Sequence, residues 1–136
     1  MTRDQNGSAA VEALLVTPVL LVLVALLVGG GQLTSDQAAL RAVAREAGRV
    51  SVTAPSPNEA INLGRARAAE VGAGYGLDPS RLRISIQPGS FERGGEVRVH
   101  VTYTVDLSNL PALGLLPSSS QLTATHAEPI DRYMSR

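Results

Sequence analysis

Cysteine, tryptophan and lysine are missing from this chain of 136 residues, and aromatic residues make up only 3 % of it. The absence of cysteine excludes disulfide frameworks, thiolate nucleophiles and cysteine-type zinc sites. All 12 basic residues are arginine, which excludes Schiff-base chemistry and the lysine of a phosphate-binding loop. With one Phe and three Tyr, any packed core must be small and built from Val, Leu, Ile and Ala.

Net charge is also absent, because 12 basic residues balance 12 acidic ones. The chain therefore has no general attraction for a phosphate backbone, and its arginines lack the neighbouring aromatic residues on which bases stack. We expect no nucleic-acid partner. The length allows one small domain together with one further element.

That further element is an uncharged stretch, Ala13–Ser35, whose centre, Val19–Val28, is entirely aliphatic. At about 1.5 Å per residue, a helix of this length crosses roughly 30 Å of hydrocarbon. The small remainder of the chain could not cover such a helix on all sides. The sequence therefore predicts a membrane-embedded helix.

Three interpretations compete for this helix: a cleaved secretory signal, a single-pass anchor, and the N-terminal helix of a pilin-type subunit. A secretory signal needs a basic leader, but only Arg3 precedes the run and Asp4 offsets it. Signal cleavage would fall near Val28–Gly30. Glu12 argues against it, because a secretory signal gains nothing from a carboxylate directly before its apolar region.

The N-terminus resembles the class III signal peptides of type IV pilin-like proteins. A polar leader, Met1–Gly7, precedes the apolar run, and Glu12 is the fifth residue after Gly7. The longer segment Gly7–Pro18 resembles the head of the TadE-like family, minor pilins or pseudopilins of the tight-adherence (Flp) pilus. The resemblance implies cleavage after Gly7 by prepilin peptidase, with Ser8 as the new N-terminus.

The resemblance also gives Glu12 a role, pairing with the new N-terminal amine of a neighbouring subunit. A carboxylate at the edge of hydrocarbon is costly unless it finds a cation. A plainer interpretation is an interfacial carboxylate favoured by the dipole at a helix start. Pro18 removes a backbone donor and is expected to permit a local kink.

The positive charges on either side of the span favour a membrane orientation opposite to that of a pilin. Arg41, Arg45 and Arg49 follow the span, whereas only Arg3 precedes it. Counting positive charges alone therefore favours an N-terminus outside the cytoplasm. A pilin-type subunit has its N-terminus in the cytoplasm.

Beyond the span, periodicity predicts two helices and a small sheet. Gly29–Gly31 suggests a soft point, and Thr34 with Gln37 suggests a capping box that restarts an amphipathic helix to about Val52. Its apolar stripes contain Leu33, Leu40, Ala47, Val43 and Val50, opposite the arginines. Further elements are a helix capped by Asn58 and ending near Val71, strands Arg81–Gln87, Glu96–Asp106 and Gln121–Ala127, and an apolar loop or turn at Leu107–Leu116.

Nothing in the sequence forms a catalytic constellation. His100 and His126 lie in different predicted strands without a placed pair of carboxylates, and Ser118–Ser120 lacks a nucleophile elbow. We expect a protein that is not an enzyme and uses no metal, cofactor or small-molecule substrate.

The sequence therefore predicts an α+β, pilin-like protein: a leader at 1–7, a transmembrane helix at 8–31 and an extracytoplasmic domain at 32–136. Its predicted function is that of a minor pilin or pseudopilin. Its partners would be the membrane, prepilin peptidase, other pilins and the pilus assembly platform. It would cross the cytoplasmic membrane once, with its C-terminal domain outside. The alternatives are an unprocessed anchored accessory protein and a small secreted domain.

Overall fold

A computed structural model describes residues 4–108 and 118–131, with side chains from residue 9 onward. The long apolar helix, the second helix and the small antiparallel sheet confirm the predicted α+β class. In chain order the elements are α1 (Asp4–Ser51), α2 (Pro57–Gly74), a short 3-10 helix (Pro79–Arg81), β1 (Leu82–Gln87), β2 (Glu96–Asp106) and β3 (Ser119–Pro129).

Helix α1 is one continuous element of 48 residues, so the predicted restart at Thr34 is wrong. The Thr34 hydroxyl instead donates a hydrogen bond to the Gly30 carbonyl at 2.9 Å, four residues back. A capping side chain is useful only where backbone N–H groups lack partners. Extending a formed helix costs far less than starting a new one, so the helix continues through Gly29–Gly31.

The C-terminal half of α1 carries the predicted apolar stripe into the core. Leu40, Val43 and Ala47 are each fully buried, whereas Leu33 and Val50 are half-buried. The opposite face contains Arg41, Arg45 and Arg49, all exposed. This pattern confirms the amphipathic interpretation, and the helix ends at Ser51, close to the predicted boundary.

Helix α2 begins one residue after Ser56, not after Asn58 as predicted. The Ser56 hydroxyl accepts a hydrogen bond from the Glu59 N–H at 3.3 Å. Pro57 fits the first helical position because its missing N–H would have no helical partner there. The cap therefore moves to the residue before the proline. The helix also runs beyond Val71 to Gly74, and Gly76, with φ of 75°, follows it.

Small residues bring α1 and α2 into close contact. The buried positions of α2 recur every four residues: Ala60, Gly64, Ala68 and Gly72. The Ser51 hydroxyl of α1 donates to the Ala60 carbonyl at 3.0 Å. A Cβ at Gly64 would collide with Ser51 Oγ and Ile86 Cδ1. Close packing of these two helices therefore depends on the missing side chain at Gly64.

The sheet has the order β1-β2-β3, and both neighbouring pairs are antiparallel. The register pairs Leu82 with Tyr103 and Glu96 with Pro129. Alternation in β1 and β2 is as predicted. Strand β3 is longer than predicted, because its pairing with β2 extends across polar residues at both ends. The inner face of β2 is buried against α1: Val97, Val99, Val101 and Tyr103.

The apolar segment after β2 lies mostly outside the described residues. Leu107 and Ser118 are described, and the Leu107 N–H donates to the Ser118 carbonyl at 2.8 Å. The predicted packed loop or turn at Leu107–Leu116 therefore stays a prediction.

A charged corner joins the 3-10 helix to the end of β2. The Arg81 guanidinium lies 3.6 Å from an Asp78 carboxylate oxygen and 3.7 Å from one of Asp106. Hydrogen bonds from the Ser80 hydroxyl and backbone N–H, with the charge of Arg81, lower the pKa of Asp78. Ser108 and Arg81 lower the pKa of Asp106 in the same way.

Replacing Gly64 by alanine should destabilise the domain by about 1–3 kcal/mol, because the added methyl group forces α1, α2 and β1 apart. The measurement is thermal unfolding of the full chain in detergent micelles, followed by circular dichroism. Gly74→Ala is the matched control, since a Cβ there meets nothing within 4 Å. Equal stability of the two variants would contradict the packing role of Gly64.

Because of the charged corner, the stability of the domain should fall at acid pH. A carboxylate whose pKa is lowered on folding contributes fully above its ordinary pKa, 3.8 for Asp78. That contribution is lost as the pH falls through the lower folded value. The Asp78→Asn variant should therefore have a lower unfolding temperature at pH 6 and a weaker decline of that temperature below about pH 4. Asp36→Asn is the control, because the Asp36 carboxylate forms no ion pair or hydrogen bond with the described residues.

Candidate functional site: the N-terminal segment and its helix

The peptide bond between Gly7 and Ser8 lies in the first turns of α1, because the helix begins at Asp4. Residues 1–3 of the predicted leader lie outside the described residues. A glycine inside a helix costs about 1 kcal/mol relative to alanine, and the first turn lacks part of its hydrogen bonding. Local unwinding at Gly7 is therefore less costly than unwinding farther along α1.

Glu12 lies on the same helix, one turn beyond Ser8. Residues four apart in a helix are neighbours on one face, separated by about 6 Å along the axis. The Glu12 side chain is exposed and makes no ion pair or hydrogen bond with the side chains that the structure describes. A carboxylate and the position of a prospective N-terminal amine thus share one face of α1.

The surface that follows Glu12 is apolar on every side of the helix. A candidate membrane span lies within Ala9–Ser51, where the most apolar window has a mean hydropathy of 2.8 and is not buried inside the protein. Leu14 and Leu27, for example, are 74 % and 75 % exposed. A helix apolar all round needs an apolar environment, which a bilayer or neighbouring helices provide.

Pro18 interrupts the hydrogen bonding of this surface without ending the helix. It has no N–H to donate to the Leu14 carbonyl, and the hydroxyl of Thr17 donates to the Ala13 carbonyl at 2.6 Å. A shallow groove of about 390 Å³ opens here, lined by Ala10, Ala13, Leu14, Thr17, Pro18 and Leu21. The predicted kink at Pro18 stays a prediction.

The sheet domain begins directly at the end of the apolar run. Gly29 is buried, and with Gln32 and Leu33 it lines a small gap against Val105 and Leu107 of the β2 end. No flexible linker separates the apolar part of α1 from the packed part, because both belong to one helix. The apolar run therefore continues into the packed part of α1 without a break.

The two histidines lie on different faces of the sheet. His100 Nδ1 is 3.0 Å from the Thr125 hydroxyl on the outer face. His126 Nε2 is 2.7 Å from a Glu128 carboxylate oxygen on the face that packs on α1. Within residues 4–108 and 118–131, no three His, Asp or Glu side chains come together as metal ligands do.

A polar groove between α1 and β3 is a feature that sequence analysis missed. It has a volume of about 330 Å³ and is lined by Gln37, Arg41, Arg45, Thr123, Ala124, Thr125 and His126. Helical periodicity identifies the arginine row as an exposed face. It carries no signal that a strand some eighty positions later lies beside that row.

Residues 7–49 match the model of the family described as TadE-like protein. The match begins at Gly7, includes Glu12 and Pro18, and ends near the end of α1. It confirms the resemblance seen in the sequence, over about a third of the chain. Neither the curated proteins nor the solved structures contain a match to this chain.

Proposed function

From a TadE-like segment that opens a membrane-length helix, we propose that this chain is a minor pilin or pseudopilin of a tight-adherence pilus. One observation carries the proposal: Gly7, Ser8 and Glu12 stand in the prepilin order at the start of α1, inside the family match. The chain is a structural subunit and a substrate of prepilin peptidase. It is not itself an enzyme and needs no cofactor.

The first step is hydrolysis of the Gly7–Ser8 bond. Glycine has no Cβ, so the backbone on the leaving side is unobstructed for a membrane-embedded peptidase. The cut releases the leader and leaves an amine on Ser8. A positive charge at a helix N-terminus is opposed by the helix dipole, so this amine gains from a nearby carboxylate.

The second step pairs that amine with Glu12. The exposed Glu12 carboxylate has no cationic partner in the described part of the chain, and such a group is costly near hydrocarbon. The amine of a neighbouring subunit satisfies it when apolar helix surfaces pack together. The groove beside Pro18 offers small residues, Ala10 and Ala13, for that approach.

The proposed orientation places the N-terminus in the cytoplasm and the sheet domain outside. The arginine count opposes it, but Arg41, Arg45 and Arg49 belong to the helix on which the folded domain packs. The positive-inside rule applies to short loops, and larger domains are translocated largely regardless of charge. The conflict is therefore weaker than the count suggests.

The two alternative fates leave different products. An unprocessed anchor keeps residues 1–7. A conventional signal would be cut near Val28–Gly30, within a helix that continues without a break and at a glycine buried against the domain. The secreted alternative therefore predicts a chain that begins near Gly31.

The Gly7→Leu variant should keep its leader, because a bulky side chain then occupies the cleavage position. Intact-mass analysis of the membrane fraction, from cells with and without prepilin peptidase, measures this directly. Wild-type protein should begin at Ser8 only when the peptidase is present. Gly30→Leu is the matched control and should be cut normally, since a Cβ at Gly30 meets nothing within 4 Å. A wild-type chain that retains Met1 would contradict processing.

The Glu12→Gln variant should be processed but assembled poorly. Loss of the charge pair should lower the yield of crosslinked complexes with other pilins by about tenfold, equivalent to about 1.4 kcal/mol. The measurement is crosslinking in intact cells, with surface pili counted in parallel. Glu59→Gln removes an exposed carboxylate of α2 and serves as the control. Normal assembly of the Glu12 variant would contradict the pairing role.

A further inference from the structure

Strand β3 forms one edge of the sheet, since the order is β1-β2-β3. Two hydrogen bonds fix which of its backbone groups face β2. The Leu107 N–H donates to the Ser118 carbonyl, and the Ile130 N–H donates to the Gly95 carbonyl, both at 2.8 Å. In an antiparallel pair these bonds alternate. Even-numbered residues of β3 therefore bond to β2, and odd-numbered residues direct their N–H and C=O groups outward.

A side chain of α1 independently supports this assignment. Gln37 Nε2 donates to the carbonyl of Thr123, an odd-numbered residue, at 3.0 Å. In the described part of the chain, the outward backbone groups of Thr125 and Ala127 have no such partner. An edge strand with free donors and acceptors is a template for another strand. Strand β3 has 11 residues, and only its last one, Pro129, blocks pairing.

Two cations lie beside this edge. Arg41 and Arg45 line the groove with Thr123 and Thr125, and neither forms an ion pair with a described residue. Two other arginines of the helices are paired: Arg49 lies 3.7 Å from Glu46, and Arg67 is held by Glu46 and Glu70. The groove therefore has positive charge that the described domain does not neutralise.

The spacing of the cations suits an extended chain. Gln37 contacts Thr123, and Gly48 lies against His126 and Glu128, so α1 and β3 run in roughly the same direction. Four residues of helix advance about 6 Å, close to the two-residue repeat of a strand at about 6.6 Å. Arg41 and Arg45 can thus meet alternate side chains of a strand laid along the edge.

We propose that the β3 edge binds an extended segment of a different protein, with carboxylate side chains at alternate positions. Its backbone pairs with the outward groups of Thr125 and Ala127, and its carboxylates meet Arg41 and Arg45. Strand addition gives the affinity and the arginines select the acidic sequence. This interaction goes beyond the proposed function and requires neither cleavage at Gly7 nor assembly through Glu12.

A second copy of this chain is a poor occupant. The other free edge of the sheet is β1, which carries Arg83 and no acidic residue. Paired with β3, the β1 edge of a second copy would therefore offer no carboxylate to Arg41 and Arg45. The charge of the groove therefore favours a different, acidic partner.

The test uses the full chain in detergent micelles and a fluorescein-labelled peptide in which glutamate alternates with threonine. Binding is measured by fluorescence anisotropy. The same peptide with lysine for glutamate, and one with proline for threonine, should bind at least about tenfold more weakly. Equal binding of the lysine peptide would overturn the charge selection, and equal binding of the proline peptide would overturn backbone pairing.

Two pairs of variants separate the contributions. Thr125→Pro removes an outward N–H and should weaken binding about tenfold, whereas Thr125→Val keeps that N–H and should bind normally. R41E/R45E should weaken binding similarly, and R65E/R83E, which reverses two exposed arginines elsewhere, should not. An effect of R41E/R45E with none of Thr125→Pro would reveal a simple anion site and overturn strand addition.

Hydrogen exchange on the wild-type chain tests the proposal without any substitution. Saturating glutamate peptide should slow exchange of the Thr125 and Ala127 amides, and unchanged exchange would overturn the proposal. Self-association in the absence of peptide, measured by light scattering and abolished by Thr125→Pro, would identify a second copy as the occupant. That result would likewise overturn the proposed partner.

Discussion

A single continuous helix must satisfy two environments, and the rest of the structure is arranged around that constraint. From Ala13 to Val28, α1 is apolar on all sides, while its C-terminal half has one apolar stripe. The stripe, centred on Leu40, Val43 and Ala47, supplies one wall of the only core described in residues 4–108 and 118–131. The domain therefore cannot fold in this form without the helix that continues into the apolar segment.

The core has few aromatic residues, and its helices and strands pack close together instead. Valines of β2 and alanines of α1 fill little volume, so elements must lie near one another to pack densely. Glycines permit this at three contacts: Gly64 against Ser51, Gly72 against Leu82, and Gly48 against His126. Because each glycine lacks a side chain, the neighbouring element lies close to its backbone. A single added methyl group would therefore disturb the packing.

Features with a strong local period were predictable from the sequence. The alternation in Leu82–Gln87 and Glu96–Asp106 identified two strands, and the stripe of α1 identified its buried face. The prepilin-like order of Gly7 and Glu12 also led to the family that matches residues 7–49. In each case, neighbours along the chain carry the information.

The predictions of helix ends were wrong where the same residues fit more than one local structure. Threonine is a common helix cap, but the Thr34 hydroxyl donates a hydrogen bond to the Gly30 carbonyl within a continuous helix. Asn58 is the cap that the sequence predicts, but Pro57 at the first helical position makes Ser56 the cap. The groove between Arg41 and Thr125 brings together distant parts of the chain, so no periodicity identifies it.

The continuous helix also relates the two ends of the molecule. Strand β3 runs beside α1 in roughly the same direction, so a strand added at its edge would extend along the helix axis. Packing through the apolar half of α1 uses a different stretch of that axis from the Arg41 and Arg45 groove. The two interactions therefore need not compete for surface. Because α1 is continuous, the apolar surface and the β3 edge are arranged along one helix.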